Sequence, residues 1–138
     1  MSHVVVKEQI DVPADRLWGL VADFGNVPWI PGGENARTEG NGPGMVRILP
    51  MGSSEIRERL ESRDEAARTI IYTIPSGLPM PITDYRSTMV VRATGERRSE
   101  LEWSCTFKPD GVTEAEAKAQ VENLYRMMIG WIRDCLAR

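Results

Sequence analysis

The sequence predicts an α+β domain: a curved antiparallel sheet of about seven strands wrapped around one long C-terminal helix, with two short helices after the first strand. Three observations predict it. Period-two alternation of apolar and polar residues recurs in short segments up to about residue 108, each parted from the next by turn residues. The final stretch changes to a helical period: Val121, Leu124, Tyr125, Met128, Ile132 and Leu136 recur at i, i+3, i+4 and i+7. No long helical segment separates the middle strands, so they form a meander, with helices only near the two ends. A strongly curved sheet around one amphipathic helix cannot close completely, and the space between them is the natural cavity.

The elements follow in order. The first strand spans about residues 3–11. Pro13 fits the first turn of a helix and Asp15 suits its positive end, with Leu17, Trp18, Leu20 and Val21 at helical spacing. The run Asp23-Phe24-Gly25-Asn26 predicts a glycine stop, and residues 27–33 predict a short helical turn or loop. Strands are expected at about 34–39 and 44–49, split by the turn Gly40-Asn41-Gly42-Pro43. Leu49-Pro50-Met51-Gly52 reads as an apolar loop. Residues 54–63 alternate, with Ile56, Glu58 and Leu60 on one face; in 68–75, Ile70, Tyr72 and Ile74 share a face. Pro79 and Pro81 lack backbone donors, so 78–82 is expected outside the sheet. In 84–93 the inner face is Tyr85, Ser87, Met89 and Val91, and in 99–108 it is Leu101, Trp103, Cys105 and Phe107. Thr113 and Glu116 form a capping box for the last helix.

The 138 residues predict one domain, 1–138, without repeats, low-complexity tracts or linkers. Hydrophobic residues make up 41% and charged residues 27%, an ordinary globular balance. A net charge of −3 argues against nucleic acid or an anionic membrane as partner. The N-terminus does not read as a signal peptide, because its short apolar run is interrupted at once by Lys7 and Glu8. No segment approaches the length of a membrane span. Cys105 and Cys135 lie in apolar surroundings and are too few for a disulfide framework, so they read as free thiols of a cytoplasmic protein. One histidine, His3, near the chain terminus, leaves no Ser/His or Cys/His catalysis and no histidine-rich metal site. No phosphate-loop pattern is present, and no metal or cofactor is expected.

The candidate site residues come from strand parity and from the two apolar, proline-containing loops. Glu58 falls between Ile56 and Leu60 on an apolar face, where a carboxylate is costly unless paired. It is a ligand contact or a general base, or else a structural partner of an arginine such as Arg47. Tyr72, Tyr85 and Ser87 share that face. The two tyrosines are candidates for acid/base work beside Glu58, or put their rings in a core and their hydroxyls in a wet pocket. Ile48, Leu49 and Met51 from the first loop region, Ile56 and Ile74 from the strands, and Leu78 and Met80 from the second loop complete the sheet side. Trp103 joins them from the last strand, and Trp29 at the pocket mouth with Leu124 and Met128 of the terminal helix complete the lining. Met is adaptable enough for an irregular pocket and is equally a core filler. Trp131, off the main helix stripe, is a pocket or partner contact.

The order of elements, with Pro13 to Trp18, Asp23-Phe24-Gly25, Trp29 and Pro31, Glu58-Arg59-Leu60, Leu78-Pro79, Asp84-Tyr85-Arg86-Ser87 and Trp103, resembles the polyketide cyclase/dehydrase branch of the START-like (SRPBCC) superfamily. That resemblance, spread over the whole chain, implies the helix-grip fold also called birch-pollen-allergen-like. The loops are further similar to those of plant abscisic acid receptors: Leu49-Pro50-Met51 resembles their gate loop, and Glu58, Tyr85 and Ser87 resemble their polar pocket residues. The receptors' pocket lysine has no counterpart, since no lysine lies between Lys7 and Lys108, and Pro79-Met80-Pro81 replaces their latch. The resemblance thus implies a gated apolar pocket without hormone recognition.

The leading expectation is binding of a small hydrophobic molecule (lipid, polyketide-like or aromatic) under flaps 49–52 and 77–82, by a monomer or weak homodimer. The alternatives are a cyclase, dehydratase or isomerase using Glu58 and a tyrosine as acid/base pair, and a module whose closed gate loops bind another protein.

Overall fold

Val4, Val6 and Ile10 alternate with exposed residues, and their burial on one face makes the first strand, β1 (Ser2–Ile10). The computed structural model describes residues 1–138. Helix α1 (Ala14–Val21) follows, with Pro13 at its N-cap and Ala14, Leu17, Trp18 and Val21 turned inward. A single 3-10 turn, Gly33–Asn35, precedes six consecutive strands: β2 (Arg37–Glu39), β3 (Val46–Met51), β4 (Ser54–Asp64), β5 (Thr69–Ser76), β6 (Ile82–Gly95) and β7 (Arg98–Pro109). Helix α2 (Glu114–Leu136) ends the chain.

All strand pairs are antiparallel, in the order β1-β7-β6-β5-β4-β3-β2, so the first strand lies beside the last. Register shifts in β4, between Arg57 and Arg59 and between Leu60 and Ser62, and in β6 between Thr83 and Arg86 bend the sheet. With α2 against its concave face this is the expected helix-grip architecture. Thr113 caps α2 by accepting from the Glu116 backbone N–H at 3.1 Å. At the other end Arg16 of α1 donates to the Leu136 carbonyl at 2.5 Å, placing a cation at the negative end of the helix. The fully buried line of α2 is Ala117, Val121, Tyr125, Ile129 and Ile132. Leu124 and Met128, expected in that line, are half-buried on its flank. The Tyr125 ring stacks on Trp103 of β7, centroids 4.7 Å apart and planes 16° from parallel, and α2 packs chiefly over β1 and β7.

Four local expectations are corrected. Helix α1 ends at Val21 with Ala22 as a right-handed cap, so Gly25 is not its stop. Gly25 instead permits close packing: a Cβ there would lie 3.1 Å from Thr38 Cγ2 and 3.2 Å from Met45 Cε. The second short helix is the 3-10 turn at 33–35 rather than residues 27–33. Leu49, Pro50 and Met51 continue β3, and the chain reverses at Gly52-Ser53. Pro50 is tolerated because β2 pairs with β3 only as far as Ile48, leaving Pro50 on an edge section. Ile82 lies inside the sheet as the first residue of β6, opposite Pro109. Its other side needs no ladder partner, because β5 pairs with β6 only from Thr69 to Thr73.

Candidate functional site

Helix α2 sits over one half of the sheet, and the concave face of β3–β5 is left to be covered by smaller pieces. Phe24 and Trp29, from the segment after α1, fill part of that space. What remains is a cavity of about 200 Å³. Leu49, Ile56, Tyr72, Ile74, Tyr85 and Trp103 wall its sheet side, with Arg47 and Glu58 at one place among them. Leu124, Met128 and Trp131 from α2 form the opposite wall. Residues Trp29 to Pro31, the β3 end at Pro50 and Met51, and the loop Leu78 to Met80 close it. A larger groove, about 500 Å³, runs along the ends of β5 and β6, but it is open and mostly polar, with Arg59, Thr73, Asp84 and Arg86 in its walls.

The residues predicted for the pocket come together around this cavity, with two exceptions. Ile48 is buried but lies outside the lining, because strand alternation puts it on the face opposite Arg47 and Leu49. Ser87 points inward as its parity requires, yet Tyr125 of α2 covers it; its exposure is 0% and its hydroxyl belongs to the packed core. Ile30, Pro31, Pro50, Pro79 and Trp131 also line the cavity. The signal for Trp131 was in the sequence: Leu124, Met128 and Trp131 recur at i, i+4 and i+7, a second apolar flank beside the main stripe.

The polar feature of the cavity is an ion pair. Arg47 and Glu58 are direct partners in the β3–β4 ladder, and Arg47 Nε donates to Glu58 Oε1 at 2.5 Å. Their exposures are 4% and 7%. Arg47 Nη1 also donates to the Phe24 carbonyl at 3.2 Å, and the guanidinium carbon lies 4.1 Å from the Phe24 ring centre and 5.6 Å from that of Tyr72. A guanidinium held on a carboxylate, a carbonyl and two aromatic faces is well compensated for a buried charge. Glu58 thus has the arginine partner expected of it and also stands in the cavity wall.

Behind the cavity lies a hydroxyl cluster. Trp103 Nε1 donates to Ser87 Oγ at 2.9 Å and to the Tyr72 oxygen at 3.2 Å. Ser87 donates to the Ser104 carbonyl at 3.1 Å and meets the Tyr125 hydroxyl at 3.1 Å. Tyr125 in turn bonds Tyr85, and Tyr85 stands 3.5 Å from Tyr72. Burial pushes the Tyr72 phenol up to about 12, with the nearby Glu58 charge adding to the effect. Burial likewise raises Tyr85 and Tyr125 well above 10.0, and the Cys105 thiol to about 11. These groups are neutral donors at ordinary pH. Neither tyrosine of the cavity bonds Glu58, so the expected carboxylate–phenol acid/base pair is not formed. Both cysteines are free. No three His, Cys, Asp or Glu side chains converge as metal ligands, and no helix is long and apolar enough to cross a membrane.

Comparison with known proteins agrees with this geometry. The structure superposes on an uncharacterized protein from Bacillus thuringiensis with a TM-score of 0.84 and 28% identity, covering 99% of this chain and 100% of the other. Protein XoxI from Bacillus cereus gives 0.80 and 28%, covering 98% and 95%. Norcoclaurine synthase from Thalictrum flavum, solved with dopamine and hydroxybenzaldehyde, gives 0.71 and 19%, covering 98% and 86%; at that identity the likeness is one of fold. No curated protein sequence matches the chain. The family model described as polyketide cyclase/dehydrase and lipid transport matches residues 1–133. With that match across nearly the whole length, and with the helix-grip architecture in place, the chain belongs to the polyketide cyclase/dehydrase and lipid transport family.

Proposed function

We propose that this protein binds a small hydrophobic molecule in the cavity between its sheet and α2. The observation that carries the reading is the cavity itself: about 200 Å³ of open space, walled mainly by apolar and aromatic side chains, beside a core that is otherwise fully buried. Its rim supports a gate. Met51 is 43% exposed at the β3–β4 turn, and Leu78 and Met80 are half-buried in a loop stiffened by Pro79 and Pro81. Both rim segments reach the cavity; Met51 is held in the β3–β4 ladder, whereas Leu78 to Met80 lie outside the strands, so displacement of that loop opens a path without unfolding the sheet. The family description includes lipid transport, which fits binding without turnover. The free thiols are in keeping with a reducing, cytoplasmic setting, and a net charge of −3 fits a small-molecule partner rather than nucleic acid.

The enzymatic reading has less support. Its acid/base pair requires a carboxylate free to exchange protons with a tyrosine, and Glu58 is engaged by Arg47 while the tyrosines bond one another. Native mass spectrometry of freshly purified protein, followed by denaturation and analysis of released compounds, tests the proposal. A co-purifying hydrophobic molecule is expected. Uniformly empty protein that also fails to take up any added hydrophobic compound would overturn it.

A further inference from the structure

The β5–β6 hairpin is paired only at its base. The ladder runs from Thr69 opposite Val90 to Thr73 opposite Arg86 and stops there. Beyond it each strand is drawn to its outer neighbour instead. Ser76 pairs with Arg57 of β4, and Gly77 lies so close to that strand that a Cβ would stand 1.9 Å from the Glu55 carbonyl oxygen. Pro75, just before, has no N–H to offer a ladder. On the other side Ile82 and Thr83 pair with Pro109 and Lys108 of β7, and the Asp110 N–H donates to the Pro81 carbonyl at 2.8 Å. A bulge follows, where Asp84 and Tyr85 together oppose Phe107 and Asp84 takes a φ of +55°, a left-handed conformation uncommon outside glycine. That extra residue lets Ile82 and Tyr85, an odd number of positions apart, both be buried. The two strands, pulled apart in this way, leave a window in the sheet, and the window is the open groove of about 500 Å³.

Three side chains separate this window from the cavity: Ile74, Leu78 and Tyr85 line both. Tyr85 is fixed, because its hydroxyl bonds Tyr125. Ile74 and Leu78 are half-buried and held by apolar packing, and Leu78 lies outside the strands. Moving them breaks no bond between β5 and β6, since the ladder has already ended. The rest of the rim is tied by its backbone: Met51 pairs with Ser54 in the β3–β4 ladder, and the Ile30 and Gly33 N–H groups donate to the carbonyls of Val27 and Ile30. The walls of the window itself, with Thr73, Ser76, Thr83 and Arg86, are polar and open to water, so an apolar molecule is not retained there. From this geometry we infer that the window is the passage by which the occupant enters and leaves the cavity, crossing the sheet between β5 and β6, with Ile74 and Leu78 as the gate and Tyr85 as its fixed post. The inference rests on the small-molecule-binding reading above.

A passage is recognised by its kinetics, because an obstacle in it slows entry and exit by the same factor and leaves their ratio, Kd, unchanged. Thr83→Trp and Ser76→Trp put bulk in the window at exposed positions that do not line the cavity. Stopped-flow fluorescence of N-phenyl-1-naphthylamine, with naphthalene as a smaller second probe, gives uptake on mixing and release on dilution. Both variants are expected to slow uptake and release about tenfold, equivalent to about 1.4 kcal/mol on the barrier, with Kd as in the parent. Melting temperatures establish that the variants are folded, and should one fail to fold, the other carries the test. Unchanged rates in a folded variant overturn the passage and leave the binding function standing. A weakened Kd with faster release also overturns it, since the window would then belong to the bound state. Failure of the parent to bind either probe at saturating concentration overturns the binding reading, and the passage with it.

Discussion

Arg47 and Glu58 face each other across the β3–β4 ladder and form a buried ion pair, Nε to Oε1 at 2.5 Å, in the wall of the cavity. Each is the reason the other is tolerated. The carboxylate that strand parity places on an apolar face meets a cation that the same parity places opposite it, and Phe24 and Tyr72 cover the guanidinium with their rings. The pair therefore both stabilises the fold and defines the polar end of the cavity.

The first prediction concerns this pair. Removing one partner, by Arg47→Met or Glu58→Leu, leaves a buried charge uncompensated and is expected to cost about 3–5 kcal/mol. The double replacement removes both charges and should be far milder, within about 2 kcal/mol of the parent. Urea unfolding of the two single variants and the double variant measures the coupling. Equal losses in all three would mean that the pair does not interact.

Alkaline pH should unfold the protein through its tyrosines. All three tyrosines of the chain, Tyr72, Tyr85 and Tyr125, belong to the buried cluster. Their folded pKa values are raised above the ordinary 10.0, Tyr72 to about 12. The unfolded chain loses these protons first, so their contribution to stability is complete below about pH 10 and falls as pH rises from there. The Cys105 thiol, raised from 9.0 to about 11, begins the same decline one unit earlier. Melting temperature followed from pH 8 upward should fall beyond pH 9–10, and phenolate absorbance should appear together with loss of structure. Phenolate absorbance in protein that remains folded at pH 10 would contradict the dry cluster.

Ser87 is a structural hydroxyl rather than a pocket contact. It accepts from Trp103 and meets Tyr125, so Ser87→Ala leaves Trp103 only its longer bond to Tyr72 and Tyr125 only its bond to Tyr85, and is expected to cost about 1–3 kcal/mol. Ser87→Phe should be worse, since Tyr125 and the Ser104 backbone already occupy the adjacent space. Denaturant midpoints of both variants check this; a stabilised Ser87→Phe protein would place that side chain at the cavity instead.

Gly77 sets the direction in which the rim loop leaves β5. Its φ is +83°, and a Cβ there would stand 1.9 Å from the Glu55 carbonyl oxygen, so no side chain fits without moving the β4 backbone. Gly77→Ala is expected to lose more than about 1 kcal/mol and to raise hydrogen exchange over residues 78–82. Unchanged exchange and stability would mean that this loop does not depend on the close approach.

Much of this molecule was legible from local periodicity. Alternation placed every main strand and its inward face, and so brought Glu58, Tyr72 and Tyr85 to the same side; the Thr113 cap and the 3.6-residue stripe placed α2. These are short-range properties, decided by which side chains can be buried together on one face. Misplaced elements were those whose fate depends on a neighbour. Pro50 and Ile82 entered strands because the pairing of β2 with β3 and of β5 with β6 stops short of them and leaves one side of the ladder unused. Gly25 is required by Thr38 and Met45 rather than by the helix before it.

The tertiary structure alone decided which inward residues face open space and which face other side chains. Ser87 and Tyr85 share a strand face, yet Tyr125 covers the serine, while the wall at Tyr85 stays open where α2 leans over β1 and β7. Periodicity specifies direction, but a cavity is a failure of two surfaces to meet, and that depends on the angle at which the helix crosses the sheet and on which rings, here Trp103 against Tyr125, fix it there.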